Sequence, residues 1–102
     1  MAKKPTQRRL ELSGEMSIST AGAIRQQLLE ALSGAEIVEV DLGRVSECDT
    51  TGVQLMLAAK RQAAQAGKTL IFADHSAPVV ETLDLLDLFA QLGDPVLIRS
   101  QV

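Results

Sequence analysis

Aromatic residues are almost missing from this 102-residue chain: Phe72 and Phe89 are the only two, and tyrosine and tryptophan do not occur. A platform for stacking bases or sugars is therefore excluded as the basis of function, and the core has to be aliphatic. A single cysteine, Cys48, leaves nothing for an internal disulfide and suits a reducing compartment. With one histidine, His75, and no ligands at zinc spacing, neither a metal nor another cofactor is expected. No apolar run approaches the roughly 18 to 20 residues that span a bilayer, and the amino end lacks the apolar centre of a signal peptide. A cytoplasmic protein that is not membrane-embedded is the expectation. Positive charge is scarce as well: a formal charge of -3 and a pI near 5.0 argue against nucleic acid as a partner. The basic cluster Lys3, Lys4, Arg8 and Arg9 surrounds Pro5 and reads as a flexible, solvated arm over residues 1–9, with one domain over 10–102.

What is present is organised around Glu36 to Gly67. The β-branched run Ile37 to Leu42 is too short for a typical helix and reads as a largely buried strand. A connector, Gly43 to Cys48, leads to Asp49-Thr50-Thr51-Gly52, after which the apolar period changes from about 2 to about 3.6. Val53, Met56, Leu57, Lys60, Ala63 and Ala64 fall on one side of the resulting helix, which Gly67 ends. Lys60 is the polar exception, explained by a stem lying along the core edge with its ammonium in water. Leu55 falls near the exposed edge, one turn from Thr51, and is a candidate partner contact.

Upstream, Arg9 to Ser13 alternates polar and apolar as a half-buried strand that Gly14 ends. Ser17, Ser19 and Thr20 then offer caps for a helix with Ile24, Leu28, Ala31 and Leu32 in its stripe, closed by Gly34. Downstream, Thr69 to Ala73 is another strand and Asp74-His75-Ser76 a loop. Pro78 begins a third helix with Val79, Leu83 and Leu86 on one face. Leu85, Leu88, Phe89 and Leu92 widen that face, so the helix breaks near Asp87 or part of it is an interface. Val96 to Ile98 forms a last short strand. This β-α-β-α-β-α-β order predicts an α/β fold with a mainly parallel sheet, whose functional loops lie beyond the carboxyl ends of the strands.

Catalytic chemistry is thinly represented. His75 sits among turn formers and reads as a solvated loop residue rather than a general base. Cys48, beside Asp49, reads as an inert small hydrophobe because the neighbouring carboxylate disfavours a thiolate. Asp49 to Gly52 remains, with two readings. One is structural: Thr50 or Thr51 caps the helix, Asp49 complements its dipole and Gly52 permits close packing. The other is functional, since a hydroxyl at a helix N-terminus suits a phosphate.

Leu12-Ser13-Gly14-Glu15, Val40-Asp41-Leu42 to Val45, Asp49-Thr50-Thr51-Gly52-Val53, Gly67-Lys68 and Leu88-Phe89, in this order, resemble the STAS family of sulfate transporters and anti-sigma factor antagonists. The resemblance runs from Leu10 to Ile98. It implies a small, non-enzymatic domain with a mixed sheet of four or five strands and helices packed mainly on one side. In bacterial antagonists of the family the hydroxyl residue after the aspartate is phosphorylated by a partner kinase, which ends binding. Carried over, the acceptor is Thr50, with Thr51 the less favoured position. The partner surface would comprise Ser17, Ser19, Thr20, Asp49, Thr50, Thr51, Gly52, Leu55, Asp74, His75 and Ser76. The partner would be an anti-sigma factor or serine-kinase-like protein. Gly52-Val53-Gln54-Leu55 to Lys60-Arg61 is similar to members that accompany chemotaxis kinases, which adds a histidine-kinase-linked partner. Where antagonists often carry an aspartate two residues after the glutamate of the Gly-Glu motif, this chain has Ser17. Another branch, the cytosolic accessory subunits of lipid-transporting ABC complexes, carries a similar Asp-Thr-Gly-Gly, whose threonine contacts an ATPase subunit.

Overall fold

In a computed structural model, residues 4–87 are described. The elements alternate as β1 (Gln7–Met16), α1 (Ala21–Gly34), β2 (Ile37–Cys48), α2 (Thr50–Gln65), β3 (Thr69–Ala73) and α3 (Ala77–Leu85). The strands lie in the order β1-β2-β3, and both pairings are parallel. Three strands therefore make up the described sheet. The expected strand at Val96 to Ile98, together with Leu88, Phe89 and Leu92, lies outside the described residues.

One face of the sheet carries the core. Residues with even numbers point to it, Leu12 from β1, Val38, Val40 and Leu42 from β2, and Leu70 and Phe72 from β3, all buried. Each helix lays its predicted stripe on that face: Ile24, Leu28, Ala31 and Leu32 from α1, Val53, Met56 and Leu57 from α2, and Val79 and Leu83 from α3. A right-handed crossover repeated in strand order 1-2-3 puts α1 and α2 on the same side, and α3 joins the same core through Val79 and Leu83. Each fully buried aliphatic side chain contributes about 1.5 to 3 kcal/mol, so this single aliphatic cluster is the main source of stability. Small phase corrections appear on α2, where Ala59 is buried and Ala64 exposed.

Two expectations at the amino end are corrected. Gln7, Arg8 and Arg9 are strand rather than part of a flexible arm over residues 1–9, because β1 already pairs from Gln7, opposite Ile37. Arg9 is held there by carboxylates: its guanidinium lies 2.9 Å from buried Asp41, 3.4 Å from Asp74 and 3.8 Å from Glu39. A buried carboxylate such as Asp41 needs a cation or donors nearby, and it also accepts the Gly43 N–H at 2.8 Å. Gly14, moreover, does not end β1. It adopts φ +82°, a backbone that favours glycine, and absorbs a bulge where the register to β2 shifts. Past that bulge β1 runs on to Met16 beside Cys48, so Gly43 to Cys48 is strand rather than connector.

The helix ends are tied down by local bonds. The Lys68 ammonium donates to the Leu32 carbonyl at the end of α1, while the Lys68 N–H closes α2 on the Ala63 carbonyl at 2.8 Å. α3 stops at Leu85, and Asp87 turns with φ +54°, so the helix breaks where the excess of leucines made a break one of two alternatives.

Candidate functional site

Because β1 and β2 outrun β3, their carboxyl ends form a ledge of their own, and α2 starts from it. Asp49 is the N-cap: one carboxylate oxygen accepts the Gly52 N–H at 3.0 Å. Neither threonine caps the helix. Thr50 is instead its first residue, fully outside the core, with a hydroxyl that makes no hydrogen bond within the described residues, while Thr51 is half-buried. The N–H groups of a helix's first turn have no intrahelical partner, so the Thr50 oxygen sits at the positive end of the dipole. Gly52 is buried, which removes it as a partner contact. A Cβ there would stand 2.5 Å from the Met16 carbonyl oxygen and 3.1 Å from the Cys48 sulfur, so glycine lets α2 start directly against β1.

The turn joining β1 to α1 stands beside this cap. The Thr20 hydroxyl donates to the Glu15 carbonyl at 2.8 Å and accepts the Ser17 N–H at 2.9 Å, rather than capping α1. Ser17 is only 9% exposed, with its hydroxyl 2.9 Å from that of Ser19, so it supports the turn from within and is not a contact residue. Ser19 faces solvent beside Glu15. Between them Ile18 is 78% exposed, and its N–H donates to the second Asp49 oxygen at 3.4 Å. The Asp49 N–H in turn donates to the Met16 carbonyl at 3.1 Å. Ser19, Thr20, Asp49, Thr50 and Thr51 are thus brought together.

Asp74, His75 and Ser76 are not brought to this ledge. β3 ends at Ala73, opposite Asp41, and β2 continues seven residues further, from Asp41 to Cys48. At the usual rise per strand residue that is roughly 20 Å. Asp74 serves the Arg9 cluster instead, with a left-handed backbone at φ +54° that turns the next residue inward. His75 is 1% exposed, a core residue rather than a solvated one or a surface base. Ser76 occupies the N-cap position of α3 without a side-chain cap bond. Leu55, read as lying near the exposed edge of α2, is half-buried there and lines the crevice between α1 and α2 with Arg25, Leu28, Leu29 and Ala58.

What reaches the ledge in place of the third loop is α3. The Thr82 hydroxyl lies 2.8 Å from the Cys48 carbonyl and 2.9 Å from that of Pro78, pinning the end of β2. Leu85, one turn further along α3, is 84% exposed. Ile18 and Thr82 were not singled out from sequence, whereas Leu85 belongs to the leucine-rich end read there as a helix break or part of an interface. The exposed isoleucine amid hydroxyl residues was the one signal available. Burial pushes the Cys48 thiol up to about 11, the Asp49 charge adds to this, and a bond with Thr82 opposes it, so the sulfur is protonated at neutral pH. Among the described residues no group of three or more His, Cys, Asp or Glu side chains is placed to hold a metal ion.

This one-sided, parallel α/β arrangement is the fold of a solved anti-sigma factor antagonist. One solved structure with this fold is that of the antagonist SpoIIAA in its unphosphorylated form: TM-score 0.68, 20% identity, 94% of this chain and 83% of that one covered. The family model described as "Mlab, STAS domain" matches residues 1–94, and the chain belongs to the STAS domain family. Among curated proteins no relative matches.

Proposed function

We propose that this protein is a regulatory protein-binding module, an antagonist-like partner switch whose partner covers the ledge around Thr50 and is released when Thr50 is phosphorylated. One observation carries the reading. Thr50 presents an unbonded hydroxyl on the first turn of α2, while Asp49 meets the capping requirement in its place. A kinase that modifies Thr50 removes no bond the fold depends on. The phosphate adds about -1.5 to -2 charges beside Asp49. A partner surface shaped around a neutral threonine would have to desolvate that charge, at roughly 2 to 5 kcal/mol, or about 30-fold to several-thousand-fold in affinity. The partner is an anti-sigma factor or serine-kinase-like protein, or one linked to a histidine kinase, and the module acts by binding rather than by turnover. No helix among the described residues is long and apolar enough to cross a membrane.

A second reading is favoured by the family model, whose description points to the Mlab group of STAS domains. Here the same ledge would seat permanently on the ATPase subunit of a lipid-transporting ABC complex, with Thr50 as a contact. The experiment is to copurify the partner, identify it by mass spectrometry, and titrate Thr50→Glu and Thr50→Ala against it. With switching, Thr50→Ala binds and resists the kinase, Thr50→Glu loses affinity, and ATP with the kinase modifies Thr50 in the unaltered chain. Unchanged affinity of folded Thr50→Glu removes the switch. A copurifying permease and ATPase, with no phosphate on Thr50, selects the second reading.

A further inference from the structure

Ile18 is one of two large apolar side chains left strongly exposed among the described residues, and its backbone N–H is bonded to Asp49, the residue next to Thr50. The turn that carries it is closed on itself by the Thr20 N–H to the Ser17 carbonyl at 3.1 Å. Among the described residues, the side chain that hydrogen-bonds it to the α2 cap is Asp49, whose carboxylate accepts the Ile18 N–H, while the Asp49 N–H holds the Met16 carbonyl at the end of β1 just before the turn. That carboxylate has a second commitment, the Gly52 N–H, and the two bonds are unequal at 3.0 Å for Gly52 and 3.4 Å for Ile18. Hydrogen bonds weaken steeply beyond the usual range, so the Ile18 bond yields first when the carboxylate is disturbed.

We infer that Asp49 is a positioning residue that couples the charge at Thr50 to the Ile18 turn, so that phosphorylation reshapes the apolar part of the partner surface as well as charging it. The inference rests on Thr50 being the modified residue. A phosphate on Thr50 brings three strong acceptor oxygens to the free N–H groups of the first turn and sets a second anion against the Asp49 carboxylate. The carboxylate keeps its shorter bond to Gly52, gives up Ile18, and the turn loses its side-chain tie to α2. An antagonist surface with an apolar knob held in register thereby becomes a charged surface with the knob released.

The test uses the full chain and the amide proton resonances of Ile18, Gly52 and Thr20 in the unaltered protein, Thr50→Glu, Asp49→Asn and the double variant. An amide proton bonded to a carboxylate is deshielded, so loss of that bond moves it upfield. Asparagine still accepts from Gly52 through its one oxygen but offers Ile18 an NH2 group. The expected result is an upfield shift of Ile18 in Thr50→Glu toward its position in Asp49→Asn, with Gly52 and Thr20 little changed. Adding Thr50→Glu to Asp49→Asn should move Ile18 no further. An Ile18 resonance unmoved by Thr50→Glu, or displaced equally in both backgrounds, overturns the coupling. If Asp49→Asn does not fold, Ile18 against Thr20 in Thr50→Glu decides alone. Partner titration separates the two claims: a shifted Ile18 with unchanged affinity sinks the switch but not the coupling, and lost affinity with Ile18 fixed does the reverse.

Discussion

Two glycines near the starts of helices should respond to alanine with opposite signs. At Gly52 a new Cβ would sit 2.5 Å from the Met16 carbonyl oxygen and 3.1 Å from both the Met16 Cβ and the Cys48 sulfur. The nearest atom is backbone, so it cannot swing aside, and α2 has to move off β1. Moving it strains the Asp49 N–H to Met16 bond and the Gly52 N–H to Asp49 cap at once. Overpacking of this kind costs about 1 to 3 kcal/mol, and alanine's better helix propensity returns at most about 1 kcal/mol. Because the clashing atom is backbone, the cost falls in the upper part of that range, about 2 to 3 kcal/mol, and the net expectation for Gly52→Ala is a loss of about 1 to 2 kcal/mol, or roughly 4 to 16 °C in Tm for a domain of this size. At Gly22, in the first turn of α1, a Cβ meets nothing within 4 Å. There Gly22→Ala should stabilise by about 0.4 to 1 kcal/mol, mainly by restricting the unfolded chain. Urea and thermal unfolding followed by circular dichroism measure both. A Gly52→Ala protein as stable as Gly22→Ala would refute the close approach of α2 to β1, and with it the geometry of the Thr50 ledge.

Val53→Asp places an unpaired carboxylate at a fully buried position of α2, a loss above about 4 kcal/mol, so circular dichroism should report a largely unfolded chain at 25 °C. Cys48, held up to about 11 against an ordinary 9.0, should alkylate with iodoacetamide slowly at pH 8 and accelerate between pH 9 and 11. The sign for stability follows from the folded value being the higher one. The contribution is whole below pH 9 and is lost as pH rises through 11, a loss that Cys48→Ala should abolish.

Periodicity made the helices legible. The α1 stripe is buried as read, and so are Val53, Met56 and Leu57 on α2 and Val79 and Leu83 on α3, because a 3.6-residue repeat of aliphatics has one way to meet a sheet. The strand Thr69–Ala73 is likewise where its apolar run places it. Long-range register was not legible. Arg44, Ser46 and Glu47 look like loop, yet they form strand because β1 continues past its Gly14 bulge to pair with them. For the same reason no local signal tells that β3 stops level with Asp41, which is what separates Asp74 to Ser76 from the ledge. The surroundings of Leu55 were not legible for a related cause. Helix phase puts it at an edge, and only the position of α1 decides whether that edge faces water or a neighbour.

The residue at position 17 bears on how the ledge handles charge. Members of the family that act as antagonists often have an aspartate there, and here Ser17 lies buried within the turn, bonded through its hydroxyl to Ser19. A carboxylate in that place would need its own donors or a cation, because a buried charge without them is costly. With serine, the buried centre of the turn is neutral, the Glu15 carboxylate meets the turn only at Ser19, and among the described residues Asp49 supplies the carboxylate that bonds both the turn and α2. One carboxylate bonded to both sides has consequences of its own. Any charge added at Thr50 acts on one carboxylate with two bonds, instead of being shared between two acidic residues on opposite sides of the ledge. If Thr50 is the switch proposed above, serine at position 17 concentrates the response to its charge in Asp49. Restoring the acid should blunt that response: in Ser17→Asp the shift that Thr50→Glu produces at the Ile18 amide should shrink.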